Sequence, residues 1–227
     1  MINIIIPTKK KQCLKETLEH FSKYFPSEKG KIILVIDLDD DENIASLCNS
    51  LDIHYVGFYS EKFNKSLALN IGISKIVKLV HENDSLLICD ADVTLSTKTI
   101  SLFKKHSHII LDKVIETKDN SSRDAYGIIK CPLKDLLEVN GYDSNFRGWG
   151  FEDHDVIWRI SQLGRTFIRL GIGKHKSHDD IERTRNYHSN NRLLMREENK
   201  RYFEKKKKNK TLIGTLIQDT QILKSSE

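Results

Sequence analysis

The sequence predicts an α/β protein: one mostly parallel, Rossmann-like sheet flanked by helices, in a single domain with a C-terminal helical extension. Three observations predict it. Short apolar runs alternate with segments of helical spacing through the first half of the chain. The runs are bounded by polar, turn-forming residues. Several of them end in Pro-Thr or Asp, and open sheets of this type bind ligands beyond the carboxyl ends of their strands.

Ile4-Ile5-Ile6 reads as the first strand, running into Pro7-Thr8 and the lysines Lys9, Lys10 and Lys11. Leu14, Leu18, Phe21 and Tyr24 have helical spacing. Lys31 to Ile36 reads as a second strand, followed by the acidic stretch Asp37 to Glu42. A helix is expected over Asn43 to Leu51 and a third strand over Ile53 to Phe58. Ser66 to His81 carries a helical stripe at Leu69, Ile73, Ile76 and Val80. Leu86 to Cys89 reads as a fourth strand, ending at Asp90-Ala91-Asp92. Asp112 to Arg123 is polar and reads as a loop. Tyr126 to Cys131 reads as a strand, Leu133 to Val139 as a short helix, Asp155 to Leu163 as a helix and Thr166 to Ile172 as a strand. Beyond His175 the pattern becomes charged and helical. Lys205 to Lys210 is almost entirely basic, and the last residues read as a weakly ordered tail. There is no internal repeat and no Pro-rich or Gly/Ser-rich linker.

The length of 227 residues suits one domain with a substantial core. The formal charge of +5 permits contact with phosphates or anionic lipid without requiring either. The four cysteines, Cys13, Cys48, Cys89 and Cys131, have no C-x-x-C spacing, which argues against a zinc ribbon and for a reducing compartment, hence the cytoplasm. No apolar segment approaches the length of a membrane span. Membrane contact is therefore expected to be peripheral.

The chemistry is concentrated in Arg147-Gly148-Trp149-Gly150-Phe151-Glu152-Asp153-His154-Asp155. The glycines permit close backbone approach or a positive φ. An indole offers a flat face for a sugar ring, and carboxylates beside it can bind a hydroxyl or take its proton. Acids at a helix start also interact favourably with the helix dipole, but that alone leaves Gly-Trp-Gly unexplained. Asp90 and Asp92 close a buried strand. Two carboxylates so close call for a cation or hydrogen bonds, and hard oxygen ligands suit Mg²⁺ or Mn²⁺ beside substrate phosphates. His175 and His178, among Lys174, Lys176, Asp179 and Asp180, are candidate imidazole ligands or parts of a polar loop. Lys65 opens a helix, where a cation opposes the dipole unless an anion lies nearby. Asn70 is placed to bond a neighbouring loop.

These segments resemble the GT-A glycosyltransferases, specifically the inverting family-2-like and β-1,4-galactosyltransferase-related enzymes. Ile4 to Thr8 is similar to their opening strand and nucleotide loop. Phe63 to Gly72 is similar to their Phe-Asn-Arg/Lys…Leu-Asn-x-Gly helix, and Asp90-Ala91-Asp92 to their Asp-x-Asp motif. Gly127 to Arg159, with Asn140-Gly141-Tyr142, is similar to their acceptor-side module. The order and spacing carry the resemblance over residues 2 to 195.

The resemblance implies a metal-dependent inverting transfer of a hexose or N-acetylhexosamine, with galactose or N-acetylgalactosamine favoured, from a UDP-sugar to a glycan or lipid-linked glycan. It implies Asp153 as general base, with Glu152, Trp149 and Arg147 on the acceptor. Pro7, Thr8, Asp37, Lys65, Asp90 and Gly150 fall to the nucleotide-sugar. Mn²⁺ (or Mg²⁺) falls to Asp92 and His178, with Asp90 and His175 as further ligands. The expected organisation is a catalytic domain over residues 1–200, with its nucleotide-sugar half over 1–100 and its acceptor half over 120–180, and a basic tail over 201–227 that touches anionic membrane. The chain departs from the pattern at Arg147, often aromatic in the galactosyltransferases, and at Phe151, often Gly. Asp37-Leu38-Asp39-Asp40 also replaces the frequent Asp-Asp-Gly-Ser. The absence of a Golgi targeting helix implies a bacterial-type enzyme of capsule or lipopolysaccharide synthesis, on the cytoplasmic face of the inner membrane. Two other readings are a sugar-phosphate nucleotidyltransferase, which usually has a Gly-rich loop after the first strand, and a non-enzymatic basic protein binding membrane or nucleic acid. Nucleic acid is not an expected partner of the enzyme.

Overall fold

A computed structural model of the protein describes residues 1–9, 13–24, 32–178, 181 and 184–224. Lys10, Lys11, Lys31, Asp179, Asp180 and the last three residues of the expected tail lie outside them. The chain builds β1 (Ile2–Thr8), α1 (Leu14–Tyr24), β2 (Ile33–Asp37), α2 (Glu42–Ser50), β3 (His54–Gly57), α3 (Lys65–Ile76) and β4 (Ser85–Ile88). It continues through β5 (Val93–Leu95), α4 (Thr97–Phe103), β6 (Ile109–Glu116), β7 (Ser122–Asp124), β8 (Ile129–Pro132), α5 (Leu133–Glu138), α6 (Glu152–Gln162) and β9 (Ile168–His175). Two further helices follow, α7 (Arg192–Lys208) and α8 (Leu216–Lys224).

The strands form one sheet in the order β3-β2-β1-β4-β8-β6-β9-β5, with β7 paired to β6. β3, β2, β1 and β4 are parallel neighbours, as the strand–helix alternation predicts. β8 then enters antiparallel between β4 and β6, while β6 and β9 run parallel. The sheet separates two apolar layers. Ile4 and Ile6 of β1 face a layer with Leu14, Leu18 and Phe21 of α1, while Ile5 faces the layer of Ala68, Leu69 and Ile73 of α3. This period of two, with both faces covered, explains the unbroken Ile4-Ile5-Ile6 run. All four cysteines are buried free thiols.

Two expectations are corrected. Asp112 to Arg123 is not a loop: β6 extends to Glu116 and turns back as β7. Its polar residues pair at a ribbon with exposed positions, so their polarity does not mark the end of the strand. The described part of the expected basic tail, residues 201–224, carries the end of α7 and all of α8. Lys206 is buried, and α8 packs on α3 through Asn70, whose amide donates to Asp219 Oδ2 at 2.6 Å. No described helix is long and apolar enough to cross a membrane.

Candidate functional site

The carboxyl ends of β1 and β4 open into a cleft of about 510 Å³. Pro7, Thr8 and Lys9 line one side, Asp90, Ala91 and Asp92 the floor, and residues 149–154 the opposite wall. Tyr187, Arg192 and Arg196 close the cleft over that wall.

Lys65, buried, lines the cleft and pairs with two of its acids. Asn64 caps α3 by accepting from Leu67 N at 3.0 Å, and its amide donates to Ser144 O at 2.8 Å. Lys65 is thereby the first helical residue. The anions that offset its position on the dipole are Asp90, 2.8 Å from Nζ, and Asp153, at 3.0 Å. Burial works against its charge, but Asp153, Asp90 and Glu152 together outweigh it and hold the lysine protonated. Gly127 lies against this group. A methyl there would come within 2.6 Å of Asp90 Oδ2 and 3.0 Å of Lys65 Nζ.

The wall is made by an unusual helix entry. Gly148 and Gly150 have φ of +76° and +100°, and Phe151 follows at +70°. The left-handed region suits glycine and strains Phe151. This is the position where the resembling enzymes often carry Gly. The turn delivers Glu152 and Asp153 into the cleft in the first turn of α6. Both are buried. Burial raises both above the ordinary carboxylate range; Asp153 adds to the rise of Glu152 and Asp90 to that of Asp153, while Lys65 pulls both back. Glu152 Oε2 has no hydrogen-bond partner. Lys65 favours the charged form of both, of Asp153 through the ion pair at 3.0 Å, and the two acids titrate as one pair. Tyr142, wholly buried, points its hydroxyl at Asp153 Oδ1 from 3.5 Å. Asp155 is not in the cleft. It is buried against Arg159 (2.8 Å) and Lys206 (3.1 Å) and locks α6 to α7.

At the far end of the cleft, Asp92, His175 and His178 each present one ligand atom, all within 4.8 Å of one another. His178 Nε2 is 3.0 Å and His175 Nε2 3.6 Å from Asp92 Oδ2. Glu116 accepts from His175 Nδ1 at 2.7 Å, which fixes the ring with Nε2 facing Asp92. Bonds to His175, Ser177 and Arg123 overcome the effect of burial and hold Glu116 down at about 2. One carboxylate oxygen and two convergent imidazoles fit a divalent ion such as Mn²⁺ better than Mg²⁺, which prefers an all-oxygen shell.

Thus Pro7, Thr8, Lys65, Asp90, Asp92, Trp149, Gly150, Glu152, Asp153, His175 and His178 meet in one cleft. Two expected residues do not. Arg147 is exposed and outside the lining. Asp37 is wholly buried beneath its loop, where it accepts from Asp39 N (3.2 Å) and Asp41 N (2.8 Å). It shapes that turn and does not line the cleft. The sequence did not single out Glu116, Tyr142, Tyr187, Arg192 or Arg196 as site residues. Only Tyr142 carried a signal, in Asn140-Gly141-Tyr142.

A family model described as the N-terminal domain of galactosyltransferase matches residues 105–185. Mouse (Mus musculus) β-1,4-galactosyltransferase 2 is 27% identical over 128 residues, which cover 52% of this chain and 34% of that protein. The chain thus spans about a third of the length of the curated relatives it matches. Among solved structures, a Drosophila β-1,4-galactosyltransferase 7 mutant in complex with manganese, UDP-Gal and xylobiose superposes with a TM-score of 0.57. It is 17% identical, covering 86% of this chain and 79% of that one. GalNAc-T7 with UDP, GalNAc and Mn²⁺ superposes with a TM-score of 0.61 at 14% identity, covering 78% and 44%. The fold is GT-A and related to that of the β-1,4-galactosyltransferases.

Proposed function

We propose, from a GT-A fold with this cleft, that the chain is a metal-dependent inverting glycosyltransferase. It moves a hexose or N-acetylhexosamine, galactose or N-acetylgalactosamine favoured, from a UDP-sugar to a hydroxyl of a glycan or lipid-linked glycan. The observation that carries the reading is the sharing of one cleft by a buried Glu152–Asp153 pair and an Asp92–His175–His178 cluster. Fold alone does not choose between glycosyl and nucleotidyl transfer. Pro7-Thr8-Lys9 contains no glycine, and the acid pair beside Trp149 favours a hydroxyl acceptor.

Asp92, His175 and His178 would hold Mn²⁺, or Mg²⁺ less well. Such an ion supplies Lewis-acid stabilisation of the leaving diphosphate. Asp153 takes the acceptor proton as that oxygen attacks the anomeric carbon from the face opposite the nucleotide, which inverts the centre. Lys65, 3.0 Å away, favours the ionised form of Asp153 beforehand. Glu152 orients the acceptor by a hydrogen bond. Pro7, Thr8 and Asp90 lie on the nucleotide side, and Trp149 and Phe151 exclude water on the acceptor side. A cytoplasmic enzyme of bacterial surface-glycan synthesis accords with the reading, although the curated relatives above are animal proteins. Peripheral contact with anionic membrane would fall to the exposed Lys205, Lys208 and Lys210.

The test is a panel of UDP-sugars with Mn²⁺ or chelator, following UDP release. Metal-dependent release from one donor is expected. Asp153→Asn should lower transfer by about 10²- to 10⁴-fold while UDP affinity, by calorimetry, stays near wild type. Loss of UDP binding in that variant would overturn the assignment of the base.

A further inference from the structure

The basic excess of this chain is local. Residues 200–217 hold seven Lys and Arg against one Glu, a larger excess than the whole chain's formal charge of +5. Lys206 is neutralised internally, buried against Asp143 and Asp155. Arg201, Lys205 and Lys208 fall at i, i+4 and i+7 on α7, so they share one face. All three are exposed, on the side opposite the buried Met195, Asn199, Phe203 and Lys206. Three exposed carboxylates border this face: Glu197, one turn before Arg201; Glu204, held by Lys207 at 2.9 Å; and Glu138, one residue from Val139, whose carbonyl accepts from Gly214 N. The six basic side chains other than Lys206 outnumber them two to one. Among the described residues, none of Arg201, Lys205, Lys208 and Lys210 has an ion pair.

α7 ends in a turn that mixes charge with apolar surface. Lys210, Leu212 and Ile213 are exposed there, and Ile217 is exposed at the start of α8. Ile213 and Ile217 are 58% and 60% exposed. The backbone beneath them is fixed. Thr211 N donates to Lys206 O at 3.0 Å, Gly214 N to Val139 O at 2.8 Å and Ile217 N to Asn140 Oδ1 at 3.1 Å. The apolar side chains therefore stay outside the core while their chain is held against it. Neighbouring cations and apolar groups are the two signals that hold a protein on an anionic bilayer: charge draws it to the headgroups, and apolar side chains enter the acyl boundary. A nucleic acid would use the charge and leave Leu212, Ile213 and Ile217 in water.

We propose that the end of α7 and the turn after it form a foot for an anionic bilayer: Arg201, Lys205, Lys208 and Lys210 meet the headgroups, and Leu212, Ile213 and Ile217 insert beneath them. The proposal rests on the peripheral contact proposed above, which it deepens by an apolar anchor, and it does not depend on the reaction catalysed.

The experiment uses the full chain and vesicles of phosphatidylcholine, with or without phosphatidylglycerol, in a sedimentation assay. Binding should appear with the anionic vesicles and weaken with salt. Lys205→Gln/Lys208→Gln/Lys210→Gln should lower the affinity about 10²-fold, and Ile213→Ser/Ile217→Ser at least about tenfold. Both variants should melt at the wild-type temperature, because every changed side chain is exposed. Ile213→Trp should be quenched by brominated lipid more strongly than the wild-type tryptophans, which reports insertion directly. Absent binding to anionic vesicles overturns the proposal. So does binding that Ile213→Ser/Ile217→Ser leaves unchanged, or an Ile213→Trp emission quenched no more than wild type. Duplex DNA bound as tightly as the vesicles, with the isoleucines irrelevant, would overturn it in favour of a nucleic-acid surface. Absent UDP-sugar turnover beside isoleucine-dependent vesicle binding would count against the transferase reading and leave this one standing.

Discussion

Gly127 has no chemistry of its own, yet a single methyl there would push on Asp90 and Lys65 at once. Asp90 is partly exposed, but Lys65 is buried and ion-paired, so Gly127→Ala should cost about 1–3 kcal/mol of stability. UDP affinity should fall about tenfold as the Lys65 arrangement shifts, which calorimetry beside thermal melting would check. The residues legible in the sequence lay at strand ends and in short motifs, among them Lys65, Asp90, Asp92, Trp149, Glu152, Asp153, His175 and His178. Glu116 supports His175 from a strand that reads as polar, and Tyr187, Arg192 and Arg196 reach the cleft through tertiary folding, Tyr187 from the segment before α7 and the arginines from that charged helix. Asp37 misleads in the opposite sense. An acid at a strand end is equally suited to hold the next turn through backbone N–H groups, and here it does.

At the scale of elements, α7 decides whether the acceptor wall stands. Its buried side is Met195, Asn199, Phe203 and Lys206, a helical spacing in which half the residues are polar. Composition marked Lys205 to Lys210 as solvated, because a run of like residues shows no phase. The buried member pairs with Asp143 and Asp155 between α6 and α7. Lys206→Met removes the cation and leaves Asp143 without its ionic partner. The expected loss is about 3 kcal/mol, measured by urea unfolding. Asp143 is held below the ordinary range: burial would raise it, but Lys206 and Asn145 prevail. Its contribution is present above the unfolded value of 3.8 and is lost as pH falls through the lower folded value. β6 illustrates the matching difficulty for strands. Its second half pairs with β9 and with β7 while presenting polar Lys113 and Glu116 beside the buried Val114, so the apolar run stops before the strand does.

For the whole molecule, strand–helix alternation made the parallel half plain, while the antiparallel entry of β8 depends on long-range pairing that no local pattern encodes. The cleft built across that junction leaves a proton on the Glu152–Asp153 pair, and this makes stability depend on pH. Glu152 is raised above its ordinary value of 4.5. The folded state therefore binds more protons than the unfolded one above that value, and stability falls as pH rises until the folded group ionises. The ligand-free protein should lose up to about 1.4 kcal/mol per pH unit from this group over that window. Melting curves of Glu152→Gln should be flatter there; an unchanged slope would place the proton elsewhere.

The four sealed thiols give the molecule a clock. A thiol reagent in solution meets Cys13, Cys48, Cys89 and Cys131 only when the structure opens, because none is more than 7% exposed. Under mild conditions, the pace of modification counts openings of the sheet's two faces, since Cys48 and Cys89 lie in one layer and Cys131 in the other. A surface cysteine introduced on α7 would react at once, against a background that waits for unfolding. A single labelled position could then follow that helix without first removing any native cysteine.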